Sequence, residues 1–230
     1  MAAPHVLIPG APRTPAPEHV WYASYGSNMH GARLHCYIAG GRPSGGARTY
    51  PGCRDTAAPP RSVPVTLPGT VYFATESAVW TGGRGFYDPS AGGLAWARAH
   101  LVTAEQFSDI AAQEMYREPG ADLDLSEALD LGRSELGTGR YETLVCPGTL
   151  HGVPVLTITA PWRMADVVLR KPSAAYVRHL AAGLGESGAW CAADIAAYLA
   201  ACPGAAGQWT AEDIAALIGP DGDGRSRRIP

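Results

Sequence analysis

Glu114 stands where a helix calls for an apolar side chain. Thr103 and Gln106 have the spacing of a capping box, which opens a helix over TAEQFSDIAAQEM. Phe107, Ile110 and Ala111 form its apolar stripe, and Glu114 takes the next place on it, completing the i, i+3, i+4, i+7 pattern of one buried face. A carboxylate buried there without a partner is costly, or its pKa rises. A raised pKa is what a proton-shuttling acid/base needs near neutral pH. Glu105 and Asp109 fall off the stripe and read as solvated. A plainer account stands beside this one, in which Glu114 sits at a fraying helix end and pairs with Arg117.

A second group lies some ninety residues earlier, in WYASYGSNMHGAR, Trp21 to Arg33. Trp21, Ala23 and Tyr25 of a short strand point to one side, Tyr22 and Ser24 to the other. Gly26 permits a tight or left-handed turn, and Ser27 or Asn28 can cap the helix that follows. Met29, Arg33 and Tyr37 share one face of that helix, Leu34 and Ile38 another, and it stops at Gly40-Gly41. Free backbone N–H groups at such a turn can receive a carboxylate or a developing oxyanion. Most turns of this kind bind nothing, and Gly, Ser and Asn are explained by geometry alone.

The elements that must position these groups alternate in type. Pro- and Gly-rich residues 40–70 predict a long ordered loop ending in an edge strand at Val63–Leu67, since Pro64 cannot donate to a central ladder. Its Arg48, Arg54 and Arg61 either reach an anionic group or, more plainly, are solvated. Strands are predicted at Thr70–Thr75 and Leu94–Val102; in the second, Leu94, Trp96, Arg98 and His100 face away from Ala95, Ala97, Ala99 and Leu101. Residues 117–139 read as an insertion with a short helix at Ser126–Leu131. Thr143–Cys146 and Val155–Thr159 read as hairpin arms around a Pro147–Pro154 turn. Pro172-Ser173 opens a helix from Ala174 to Leu184 with Tyr176, Val177, Leu180 and Leu184 on its face. Two related segments, WCAADIAAYLA and WTAEDIAALIG, predict two short helices, each with a Trp before its cap.

Composition narrows the classes. Eighteen basic residues against 21 acidic ones favour neither nucleic acid nor an anionic membrane as a partner. The five cysteines lack paired spacing, which argues against a disulfide framework or a zinc ribbon, and no H-E-x-x-H is present. No apolar run approaches a membrane span and no signal-peptide pattern opens the chain, so a cytoplasmic location is expected.

The YGSN at Tyr25–Asn28, followed by Met29, resembles the entry motif of the γ-glutamyl cyclotransferase family. Gln113-Glu114 resembles the context of that family's acid/base glutamate, and Tyr141 the tyrosine opening its next strand. The order of elements over residues 20–160 is similar too. The resemblance implies an α+β fold, a small mixed β-barrel flanked by helices, with a C-terminal helical extension. Its boundaries would be a disordered tail at 1–18, the barrel domain at 19–165, the helical extension at 166–219 and a disordered tail at 220–230. It implies Glu114 as the catalytic acid/base, and Tyr25, Gly26, Ser27, Asn28 and Tyr141 as substrate-binding residues. No cofactor or metal is implied. The partner would be a small-molecule γ-glutamyl amide or peptide, with a homodimer left open. One departure is Ala95-Trp96-Ala97, where the family often has V-W-G. Two other readings stay open: another amide or acyl chemistry on the same fold, and a non-catalytic protein that binds a small ligand and a partner.

Overall fold

The computed structural model describes residues 3–10, 16–43 and 48–219. The predicted tail at 220–230, and residues 1–2 and 11–15 of the predicted N-terminal tail, lie outside them. The fold is mixed α+β, built on a seven-stranded sheet ordered β1-β3-β6-β2-β9-β8-β7. These are β1 (His5–Val6), β2 (His19–Ser24), β3 (Ser62–Pro68), β6 (Leu94–Thr103), β7 (Arg133–Glu135), β8 (Thr143–Leu150) and β9 (Val153–Thr159). A separate ribbon pairs β4 (Thr70–Ala74) with β5 (Arg84–Asp88). It is tied to β9 through Thr159, whose hydroxyl accepts from Tyr87 N (3.1 Å) and donates to Tyr87 O (2.7 Å).

The N-terminus corrects the sequence reading. Residues 5–8 were expected within a Pro-rich tail, yet they close the barrel. His5 and Val6 pair in parallel with Val65 and Thr66, and Ile8 then exchanges two backbone hydrogen bonds with Thr149 of β8 (3.0 and 2.9 Å). That bridge joins the β1 side of the sheet to β8 and leaves β7 as an appendage. Leu7 supplies the reason: it is buried with Trp21, Val65 and Val155. Gly148 makes the seam possible, because at φ +152° a Cβ would overlap the Ile8 carbonyl. For the same reason β3 is not an edge strand. Pro64 lies just before the stretch that meets β1, so its missing N–H leaves no gap there.

Both faces of the sheet are covered. Trp21, Ala23, Val65, Leu67, Val155 and the fully buried Ala95, Ala97 and Ala99 share one cluster with the C-terminal helices. The alternation predicted for β6 is therefore present, and the methyl of Ala97 faces this cluster rather than the glutamate helix. Val20, Tyr22, Val102, Leu144, Leu156 and Ile158 form the other face, covered by α1 (Gly31–Ala39), α2 (Ala104–Glu114) and α3 (Ser126–Leu131). The predicted hairpin turn over 147–154 is shorter than expected. Strand β8 continues through a bulge between Val145 and Gly148 and turns only at His151-Gly152. Strands β5 and β7 have no counterpart in the sequence reading; both are short, and β5 holds Gly85 and ends beside Pro89.

The C-terminal helices fall as predicted. Helix α4 (Ala174–Glu186) is capped by Ser173, with Tyr176, Val177, Leu180 and Leu184 buried. Helices α5 (Ala192–Ala201) and α6 (Ala211–Ile218) each follow a Trp and a capping residue, Cys191 and Thr210. Trp96 stacks between Trp190 and Tyr198, at centroid distances of 4.5 and 4.3 Å, and anchors α5 to β6. All five cysteines are free. Among the described residues, no helix is long and apolar enough to cross a membrane.

Candidate active site

The loop after β2 and the end of α2 meet. Asn28 donates through Nδ2 to Glu114 Oε1 at 3.0 Å and to the Tyr22 hydroxyl at 3.3 Å. Its own Oδ1 is buried and unpaired among the described residues. The loop achieves this differently from the sequence expectation. Ser27–Met29 form a 3₁₀ turn, and His30, not Ser27 or Asn28, precedes α1. Ser27 instead accepts from Arg33 Nε at 2.7 Å. Gly26 has φ −113°, so no left-handed turn is required of it. Among the described residues, the N–H groups of Gly26, Ser27 and Asn28 make no intrachain hydrogen bond.

Helix α2 places Glu114 as its periodicity predicts. Phe107, Ile110 and Ala111 are fully buried, Thr103 and Gln106 complete the capping box, and Glu114 ends the helix half-buried. The alternative pairing with Arg117 is not made, since Arg117 binds Glu142. No cation lies within 4 Å of the Glu114 carboxylate among the described residues. Burial raises its pKa; the nearby charge of Arg33, then the Tyr37 hydroxyl and the Asn28 amide, act in the opposite direction without cancelling the rise.

Glu114 lies where two cavities adjoin. One, about 400 Å³ with its opening, is lined by residues 22–28, Gly85, Thr157 and Ile158; the other, about 540 Å³, by Arg33, Arg48, Trp80, Arg84 and several tyrosines. Ser27, Glu114, Tyr141 and Tyr176 line both. Tyr25 lines the first cavity, with its hydroxyl given to Ile158 O at 2.8 Å. Tyr141 donates to Gly85 O at 3.1 Å, while Gly85 N donates to the Tyr176 hydroxyl at 3.3 Å. A Cβ at Gly85 would stand 3.0 Å from that hydroxyl, a tight contact that would push the Tyr176 ring back by a few tenths of an ångström. Burial pushes the Tyr22 and Tyr141 hydroxyls well up and Tyr176 to about 12, so all three stay protonated donors at neutral pH.

Thus Glu114, Tyr25, Gly26, Ser27, Asn28 and Tyr141 line two adjoining cavities, and of the loop arginines Arg48 lines the second, whereas Arg54 pairs with Asp109 and Arg61 lies over Trp21. Tyr22, Gly85, Trp80, Tyr176 and His179 were missed. Tyr22 and Tyr176 read as packing residues on their elements, and they do pack. His179 Nε2 sits 3.0 Å from the Ser27 carbonyl, and its ring stacks on His30 and lies tilted against Trp80. Burial lowers its pKa to about 4, which keeps the ring neutral. No local pattern marks it, because its partner is 152 residues away. Among the described residues no three His, Cys, Asp or Glu side chains converge as a metal site.

No family model matches the chain. It is 32% identical over 201 residues to "Histone deacetylase 5" of Arabidopsis thaliana, a match that covers 78% of this chain and 30% of that protein. The chain thus spans under a third of the curated relative's length. Among solved structures it is similar to one titled gamma-glutamyl cyclotransferase (TM-score 0.44, 15% identity, 74% of this chain and 81% of that one). It is also similar to an uncharacterized protein from Homo sapiens (TM-score 0.45, 16% identity, 75% and 82% covered). Neither likeness is close enough to carry an activity across.

Proposed function

We propose that the chain is a γ-glutamyl cyclotransferase-like enzyme that cleaves a γ-glutamyl amide. The observation that carries this reading is the Asn28–Glu114 hydrogen bond, which joins the YGSN loop to an otherwise unpaired, half-buried carboxylate. In a γ-glutamyl amide the α-amine can attack the γ-carbonyl of its own molecule. A bond forms between the amine nitrogen and the carbonyl carbon, the bond from that carbon to the amide nitrogen breaks, and a proton passes from one nitrogen to the other. The products are 5-oxoproline and a free amine.

The chain supplies what this needs. Holding the substrate in a near-attack conformation lowers the barrier without a protein nucleophile. Glu114 takes the proton from the α-amine and returns it to the leaving nitrogen, a role suited to a carboxylate with a raised pKa. The Gly26, Ser27 and Asn28 amides are donors for the oxyanion or the substrate carboxylate. Asn28 Oδ1 is an acceptor for the α-amine, and Tyr141 borders the reacting amide. No cofactor enters the reaction.

The activity of the curated relative belongs to a protein of which this chain matches 30%, and it is not carried over. A mass-spectrometric panel of γ-glutamyl amines and peptides, with an acetyl-lysine peptide added, is the test. The expected result is 5-oxoproline from at least one γ-glutamyl compound, a Glu114→Gln variant at least 100-fold slower, and no deacetylation. No 5-oxoproline from any compound, or an equally active Glu114→Gln, would overturn the reading.

A further inference from the structure

The cavity beyond Glu114 carries a charge that the rest of the chain does not. The protein as a whole has a net charge of −3. Yet Arg33, Arg48 and Arg84 line this one cavity, and among the described residues Glu114 is the only carboxylate there. Among the described residues none of the three arginines lies within 4 Å of a carboxylate, whereas Arg54, Arg98, Arg117 and Arg133 each have at least one. Their hydrogen bonds go to neutral groups. Arg33 donates from Nε to Ser27 Oγ and from Nη2 to the Tyr50 hydroxyl, both at 2.7 Å. Arg84 donates to the Glu76 carbonyl, and its Nε is buried and unpaired. Guanidinium groups held by neutral partners keep their charge and donors for a ligand.

The same cavity is aromatic. The Arg33 guanidinium lies 5.4 to 5.7 Å from the ring centres of Tyr37, Tyr50 and Trp80. At the rim, Arg48 lies over Tyr116 at 4.7 Å, and Arg140 lies over it at 4.9 Å. Tyr116 is exposed and has φ +60°, a strained backbone for a tyrosine, so the two arginines hold a ring in an uncommon place. Trp80 stacks on Tyr176 at 5.2 Å, beside the junction with the first cavity. Planar cations and aromatic faces together bind a planar anionic group.

We propose that this cavity is the leaving-group subsite and that it selects an aromatic amine bearing a carboxylate, an aromatic amino acid as opposed to a plain or cationic amine. The assignment rests on the γ-glutamyl reading for which side of Glu114 is the leaving side. A substrate whose scissile amide sits at Glu114 places its γ-glutamyl part along the Tyr25–Asn28 loop. The other arm then enters the arginine cavity. A cationic arm, such as the free ammonium end of a singly acylated diamine, meets three like charges there and is disfavoured.

The test compares γ-glutamyl-phenylalanine, its decarboxylated counterpart γ-glutamyl-phenethylamine, and the mono-γ-glutamyl amide of 1,5-diaminopentane, whose second amine is free. For wild type, kcat/KM should favour the acid over the phenethylamine by about 10- to 100-fold, with the diamine amide slowest. In Arg84→Gln and Arg48→Gln that ratio should shrink at least fivefold, mainly through KM, with Arg84→Lys intermediate. Binding to Glu114→Gln, followed by calorimetry, separates the two proposals. Tighter binding of the acid with no turnover by wild type would sink the reaction and keep the subsite. Turnover of all three at similar rates would keep the reaction and overturn the subsite. Equal binding of acid and amine, or no binding of either at millimolar concentration, would also overturn it.

Discussion

Helix α2 carries two carboxylates near its C-terminal half, and they are solved in opposite ways. Asp109 is completely buried, yet every side of it is met: Arg54 donates its backbone N–H (2.8 Å) and Nε (3.0 Å), and Gly120 N donates at 3.2 Å. Glu114 is less buried and has one neutral amide donor. The contrast shows that burial alone does not mark a carboxylate for chemistry. Asp109 is a structural rivet that fastens the 48–61 segment and residue 120 onto α2. Glu114 keeps an oxygen uncommitted and carries a raised pKa. Pairing, and not depth, separates them.

Exchanging the two carboxylates for amides breaks the comparison most sharply in activity. Glu114→Gln removes the base but keeps the shape and the Asn28 contact, and kcat should fall by about 10²–10⁴. Asp109→Asn should lose less than tenfold, measured on protein that remains folded. If both variants lose activity alike, the division of labour along α2 is wrong.

Stability should report the reverse ranking. Asp109→Ala leaves Arg54 Nε and the backbone N–H groups of Arg54 and Gly120 without their acceptor, and it should cost about 2–3 kcal/mol, the lower part of the range for a buried pair because Arg54 is a third exposed and keeps Asp122. At this chain length that is roughly 5–10 °C in Tm. Calorimetry should show this loss for Asp109→Ala and no loss for Glu114→Gln. A Tm unchanged by Asp109→Ala would make Asp109 a spectator.

The two residues also show how far the sequence could be read. Helix periodicity found Glu114, because one polar residue on an apolar stripe is a local anomaly. The same reasoning misjudged Asp109, which it placed in solvent, since the residues that cover it come from 54 and 120 and leave no trace in the helical pattern. Long-range partners account for the other misses. Leu7 and Ile8 look like any residues of a Pro-rich tail until Thr149 is placed beside them. His179 has no pattern without Ser27. The order of the elements, the capping residues of α2 and α4, and the two Trp-led helices were legible, since each rests on neighbours within four or five positions. The contacts between Glu114 and the YGSN loop follow from two such local anomalies converging; the arginine cavity joins residues from six separate segments and could not be assembled from spacing.

A smaller effect lies in pH. The Glu114 carboxylate must be ionised to accept a proton, and its pKa lies above the ordinary range because burial outweighs Arg33, Tyr37 and Asn28. With a substrate whose own ionisation is known, kcat/KM should therefore rise with pH through a limb above the usual carboxylate value. A profile that stays flat down to pH 4 would place the base elsewhere.

The smallest effect is on the stability of Glu114→Gln itself, and its sign is the informative part. A carboxyl whose pKa is higher in the folded state binds protons more tightly there, so its contribution is favourable at low pH and is lost as pH rises through the folded pKa. At neutral pH the ionised side chain is a burden that glutamine does not carry. Glu114→Gln should thus match wild type near pH 4 and melt higher at pH 8, each kcal/mol appearing as about 2–4 °C. Asp109→Asn, which removes a fully paired carboxylate, should melt lower than wild type at pH 8. Opposite signs at pH 8 from two isosteric changes on one helix would show that α2 spends the stability gained at Asp109 on a strained carboxylate at Glu114. Matching signs would mean that Glu114 is as well served by its surroundings as Asp109 is.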